Sequence, residues 1–304
     1  MKFRVLIIFV TIIIFLGGCV GEPEENATSL PDQSGESKTP APSVVNADYT
    51  AYFQGVEGTV VFLNSRENTY YIYNQDLAEK PSSPCSSFKL ISCLMGLESG
   101  AIDPLTSTLE WNGTHYPVDE WNKDTDYQQA FESSCIWYFR SVIDTIGGAY
   151  VQDTLNRLDY GNRDITEWQG SLNNLIFPDM KDYKELNGFW QESSLQISPI
   201  QQVDVLRRIF EDKGVFSDKN LVLIKDVMLV ENTDGALRIY GKTGSGKKDE
   251  NWSDAWFVGL FEKDGETTYF AVRLNQPDTY GAKAKEIALN IIDHEFGSET
   301  ASVN

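Results

Sequence analysis

Strand-like apolar patterning marks four stretches of the chain, 58–74, 235–243, 254–263 and 267–275. Elsewhere apolar residues recur at helical spacing. Phe88, Ile91 and Met95, with Leu90, Leu94 and Leu97, make a stripe that follows Pro84 and stops at Gly100, a residue suited to closing a helix. Ser198 and Pro199 supply an N-cap and a first-turn proline for a helix running through Phe210. A last helix is expected over about 280–295. Patterned sequence fills residues 48–297 without an internal repeat, which predicts one domain of mixed α and β structure with room for two lobes.

The ends of the chain are patterned differently. Met1-Lys2-Phe3-Arg4 precedes an apolar run from Val5 to Leu16, too short for the roughly 20 residues that span a bilayer. A basic start and a short apolar core read as a secretory signal. The run ends in Leu16-Gly17-Gly18-Cys19, which resembles the lipobox of bacterial and archaeal lipoproteins. That resemblance implies a signal segment over 1–19, a lipid on Cys19, and an exported protein anchored to the cell-surface membrane. Residues 20–47 are rich in Pro, Ser, Thr and Glu without apolar periodicity, and are expected to form a disordered tether. Residues 298–304 read as a short tail.

Charge and cysteines narrow the function. Twenty-five Lys and Arg against 45 Asp and Glu give a net charge of −20, which argues against nucleic acid and against electrostatic adhesion to anionic lipid. Cys85, Cys93 and Cys135 show no zinc-site spacing and read as buried thiols, with no metal implied.

Candidate chemistry centres on Gly241-Lys242-Thr243-Gly244-Ser245-Gly246-Lys247. The spacing fits a phosphate-cradling loop, but Lys248 stands where a metal-binding hydroxyl belongs and no helical pattern follows. A nucleotide is therefore not expected. The same stretch contains Lys-Thr-Gly, a triplet found at the edge of serine acyl-transferase sites. With only two histidines, His115 and His294, neither near a nucleophile motif, a serine enzyme here needs a lysine base. Ser-x-x-Lys occurs twice, at Ser86–Lys89 and Ser245–Lys248. The first pair opens the predicted helix, where amides and the helix dipole favour an oxyanion and Lys89 shares the face of Ser86. On these residues alone, a capping serine followed by a surface lysine is the better account.

Further motifs in order change that balance: Ser134-Cys135-Ile136, Tyr160-Gly161-Asn162, Phe189-Trp190 and Lys242-Thr243-Gly244. Together with Ser86–Lys89 the series resembles the penicillin-recognising serine enzymes, and within them the class D β-lactamases and the related β-lactam sensor domains. The likeness extends through SPCSSFKLISCLMGLESG, GFWQESSLQISPIQQ and DAWFVGLFEKDG, over roughly residues 50–295. It implies an α/β (α+β type) fold: a five-stranded, mainly antiparallel sheet flanked by helices, plus a helical lobe.

The resemblance also implies roles. Ser86 would be the nucleophile, and Lys89, carboxylated by CO₂ or bicarbonate, the general base. Trp190 would stabilise that carbamate. Ser134 and Lys242 would carry a proton toward the β-lactam nitrogen. The backbone N–H groups of Ser86 and Ser245 would form the oxyanion hole. Ile136, Tyr160, Asn162, Thr243, Gly244 and Ser245 would line or support substrate binding. One departure stands out: relatives carry a carboxylate-gripping arginine near the start of the last helix, where this chain has Ala284. The expected function is hydrolysis of β-lactams; the alternatives are a sensor that acylates and turns over slowly, and a D,D-peptidase.

Overall fold

The computed structural model describes residues 41–171, 184–233, 237–248 and 251–297. The expected signal segment with Cys19, the tether up to residue 40, and the tail 298–304 lie outside these residues.

A sheet of seven strands forms the centre: β1 (Ser43–Asn46), β2 (Gly58–Asn64), β3 (Thr69–Tyr73), β4 (Leu229–Thr233), β5 (Leu237–Lys248), β6 (Asn251–Lys263) and β7 (Glu266–Leu274). Their order is β1-β3-β2-β7-β6-β5-β4, antiparallel except for the β1–β3 pair. The expected run 58–74 is a hairpin of two strands, and β1 and β4 raise the expected five to seven.

Strand β1 corrects the tether, which was expected to reach residue 47. All four of its residues are exposed, so no face is buried and no apolar alternation marks it. Backbone pairing holds it instead: Ser43 N donates to Asn68 O at 3.1 Å and Ala47 N to Ile72 O at 2.9 Å. The run expected to end at Lys-Thr-Gly likewise continues to Lys248, because Gly244, Ser245 and Gly246 still pair with Trp256, Ala255 and Asp254 of β6.

Among the described residues eight α-helices surround the sheet: α1 (Thr50–Phe53), α2 (Gln75–Ala78), α3 (Lys89–Ser99), α4 (Tyr127–Glu132), α5 (Ile136–Leu158), α6 (Pro199–Glu211), α7 (Asp218–Met228) and α8 (Gly281–Ile291). Central strands are buried on both faces, which is why β2 reads as a continuous apolar run rather than an alternation. Val61 and Leu63 of β2, with Val258, Leu260 and Ala271, meet α3, α5, α6 and α7 in the larger core. Val60 and Phe62, with Phe257, Phe270 and Val272, meet α1 and α8 in the other. The terminal helices thus share one face, and the helical lobe lies on the opposite face, where α3 begins.

Candidate active site

The chain from Pro84 to Lys89 makes a 3-10 turn, Cys85–Phe88, that runs without a break into α3. Ser86 and Lys89 therefore stand one turn apart on one face, and Lys89 Nζ lies 2.7 Å from Ser86 Oγ. Phe88 pins the turn from behind. It stacks on Trp190 at 5.8 Å between ring centroids and meets Tyr160 and Phe189 edge-on at 5.5 and 5.4 Å.

Lys89 has no exposed surface. Burial pulls its amine down to about 7, against a smaller upward influence from Cys135 and Cys85. Near neutral pH about half of it is uncharged, against roughly one part in 2,500 for an ordinary lysine. The surface-lysine reading is excluded by this burial.

Ser134 sits between α4 and α5 with a left-handed backbone, φ 55°, a conformation that costs a non-glycine residue on the order of 1 kcal/mol or more. Lys242 Nζ donates to Ser134 Oγ and, at 3.1 Å, to Thr243 O, and it lies 5.5 Å from the centroid of the Phe131 ring. Burial, reinforced by the charge of Lys89, holds the Lys242 amine well below the usual lysine range.

Strand β5 closes the site. A Cβ on Gly244 would lie 3.0 Å from both Pro84 O and Ser87 N, so a glycine is what lets the strand lie against the serine-bearing turn. Ser245 Oγ accepts from Gly281 N at 3.0 Å, fastening the strand to the start of α8. The second Ser-x-x-Lys, Ser245 to Lys248, lies along this strand and never forms a helical turn.

A cavity of about 290 Å³ brings together Ser86, Ser134, Ile136, Thr243, Gly244 and Ser245 from the expected set. Lys89 and Lys242 stand directly behind it, hydrogen-bonded to Ser86 and Ser134 respectively. Val118, Trp121, Ser133 and Gln191 complete the lining, and among the described residues none that lines it is charged. Those four were not singled out from the sequence. Val118 and Trp121 belong to a short turn whose Trp reads like any core aromatic, and Gln191 reads as loop. A larger cleft of about 700 Å³, lined by residues such as Phe210, Lys225 and Glu262, lies elsewhere and contains none of the expected site residues.

Besides the two lysines, three expected residues among those described do not line the cavity. Tyr160 is completely buried behind Phe88, where it packs against the turn and does not reach the cavity. Asn162 fixes a loop, its Nδ2 donating to Ser194 O at 2.8 Å and its Oδ1 accepting from Gln196 N at 3.0 Å. Trp190 is also completely buried, and its indole Nε1 has no partner among the described residues. Ala284 faces the core beneath α8, so its position does not reach the cavity, and the neighbouring Lys283 pairs with Glu286. Cys85, Cys93 and Cys135 are free and buried.

A family model described as the penicillin binding protein transpeptidase domain matches residues 54–293. The chain belongs to this family. The chain is 34% identical to the regulatory protein BlaR1 of Bacillus licheniformis over 84% of its length, but spans only 40% of that protein. It is 28% identical to the probable beta-lactamase YbxI of Bacillus subtilis, over 79% of the chain and 81% of that protein. Among solved structures, the C-terminal domain of the Bacillus licheniformis BlaR penicillin-receptor superposes with a TM-score of 0.74 at 32% identity, covering 85% of this chain and 98% of that one. A class D beta-lactamase from Bacillus subtilis superposes with a TM-score of 0.71 at 27% identity, covering 84% and 98%. The transpeptidase domain therefore has the serine β-lactamase/penicillin-binding fold that its motifs implied.

Proposed function

We propose that this chain is a serine β-lactamase of class D type, opening β-lactams through an acyl-enzyme on Ser86. The observation that carries the reading is Ser86 Oγ lying 2.7 Å from the completely buried amine of Lys89. Uncharged Lys89 accepts the Ser86 proton as Oγ attacks the β-lactam carbonyl. The Ser86 and Ser245 amides receive the developing oxyanion. Ser134, bonded to Lys242, passes a proton to the departing nitrogen. Thr243 and Ser245 hold the substrate carboxylate, and the uncharged cavity lining makes that grip weak.

Carboxylation of Lys89 by CO₂ fits the residues present. The reaction needs a neutral amine, which burial supplies, and the unpartnered Trp190 Nε1 is a buried donor awaiting an acceptor. When formed, the carbamate would supply a base for both acylation and deacylation. Lipidation at Cys19 belongs to the same reading, and Cys19→Ser should release the protein from membranes.

A second reading has support of its own: the 34% identity with BlaR1 favours a sensor-like site that acylates and deacylates slowly. Intact-mass measurement over time with a penicillin separates the two. The enzyme reading expects a transient adduct, many turnovers per molecule, and loss of both in Ser86→Ala. An adduct persisting for hours without product would replace it with the sensor, and no adduct would end both. For the carbamate, turnover near pH 5.5 should recover in part with added bicarbonate, and Trp190→Ala should deepen that dependence. Indifference to bicarbonate together with no ¹³C-carbonate signal would leave Lys89 as a plain amine base.

A further inference from the structure

The stretch after Trp190 carries a carboxyl group that the chemistry above does not use. Glu192 is partly buried behind the nucleophile and has a left-handed backbone, φ 46°. It faces Cys85, the residue before Ser86, which is left-handed as well, φ 49°. The Cys85 thiol donates to Glu192 Oε1 at 3.1 Å, and the backbone of Lys247 hydrogen-bonds the same carboxyl.

Beside these two donors lies Gly246, where β5 shifts register against β6 between Gly246 and Lys247. Bulges of this kind re-aim a strand next to a site. A Cβ on Gly246 would stand 1.9 Å from Glu192 Oε1 and 2.9 Å from Cys85 Sγ, so carboxyl, thiol and strand are in direct contact. The main chain of Glu192 is fixed too. Ser83 Oγ accepts from Glu192 N at 3.0 Å and donates to Trp190 O at 2.9 Å, while Trp256 Nε1 donates to Ser83 O at 3.0 Å.

We propose that Glu192 is a positioning residue for acyl transfer. Its carboxyl clamps the turn that presents Ser86 against the bulged strand that presents Ser245, fixing the gap between the two oxyanion-binding amides. The inference rests on the acyl-transfer reading. Neither Glu192 nor Cys85 lines the cavity, so both act through Ser86 and Ser245.

A thiol and a backbone N–H both donate to the carboxyl, so the ionised form holds the clamp. Burial pushes the group up to about 7; the Cys85 hydrogen bond, Arg273 of β7 and the Lys247 amide oppose this, and Asp254 of β6 adds to it. Asp254 is itself held by Arg273, at 2.7 and 3.1 Å, and by Ser82. The clamp therefore loosens in mild acid.

Phenylboronic acid tests the gap without turnover. Ser86 Oγ adds to boron, its proton passes to Lys89, and a boron-bound oxygen occupies the place of the oxyanion. Glu192→Ala should weaken this adduct and slow the limiting acylation rate with a penicillin, each by about ten-fold or more. Binding before acylation should stay within about two-fold, a separation that general loss of structure does not produce. Glu192→Gln keeps the shape and one accepting oxygen, and should recover both to within about three-fold at pH 7. The ratio of wild-type to Gln-variant rates should fall between pH 8 and 6, because Lys89 titrates in both proteins and the carboxyl in the wild type alone. Cys85→Ala removes one donor and leaves the carboxyl, and should cost about three-fold even where Glu192→Ala folds poorly. Boronate binding and acylation within two-fold of wild type in the folded variants would overturn the proposal, as would a Gln variant as damaged as Ala. A wild-type chain that forms no adduct would remove the acyl-transfer reading itself, and the clamp with it.

Discussion

Lys89 shows what a single buried amine costs the fold. Its amine titrates near 7 in the folded chain and near 10.4 when unfolded, so the folded state disfavours its proton. A depressed value means the contribution to stability is complete above the unfolded value. It is lost as pH falls, levelling off below about 7. At pH 7 the penalty is about 4 kcal/mol, a large share of the 5–15 kcal/mol that stabilises a typical domain. Lys89→Met, which fills the same space without a charge, should abolish acylation and raise Tm by about 5 °C or more in calorimetry at pH 7. A variant that melts at or below wild type would show that the lysine is not the burden its burial implies. The sequence hinted at this residue, because Phe88 and Leu90 flank it with apolar bulk where a surface lysine has no reason to sit. It gave no such hint for Glu192, which stands in the polar string Gln-Glu-Ser-Ser and acquires meaning only when β5 folds against it.

Elements were legible wherever the signal is local. The Ser198–Pro199 start of α6 is a complete capping box, with Ser198 accepting from Gln201 N and the Gln201 side chain returning to Ser198 N. Ser198→Ala should cost about 1 kcal/mol and lower Tm by roughly 2–4 °C in thermal unfolding. Because Gln202 of the same helix reaches Ser87 Oγ at 3.1 Å, a measurable slowing of acylation should accompany the loss. An unchanged Tm would mean that water replaces the cap without penalty. Helix α3 was equally readable, from its apolar stripe to the left-handed Gly100 that ends it. The far end of β5 was not. Gly244, Ser245 and Gly246 have no apolar side chain to mark a strand, and only their pairing with β6 makes them one. Tyr160 and Asn162 show the converse limit. Their motif was recognisable, yet whether they touch substrate or brace the turn behind it depends on packing that no local pattern records.

At the scale of the whole molecule the sheet has, among the described residues, two open margins, β1 on one side and β4 on the other. The first is slight. Four residues run parallel to β3, and Val44 and Val45 are 57% and 42% exposed. Composition alone would begin the domain at Asp48 and discard them. Doing so would leave Thr69–Tyr73 as the sheet's outermost strand, with a row of unanswered backbone donors and acceptors facing solvent. Such a border is a template for another chain, and an identical copy is the most abundant one at hand. A chain shortened to begin at Asp48 should therefore self-associate as its concentration rises in sedimentation velocity. One that begins at Ala41 should keep a constant sedimentation coefficient over the same range. Equal behaviour of the two would mean the border is already guarded by its own side chains. If the shortened chain associates, β1 is a selvedge, a narrow margin of four residues that contributes little to the core and covers the border of β3.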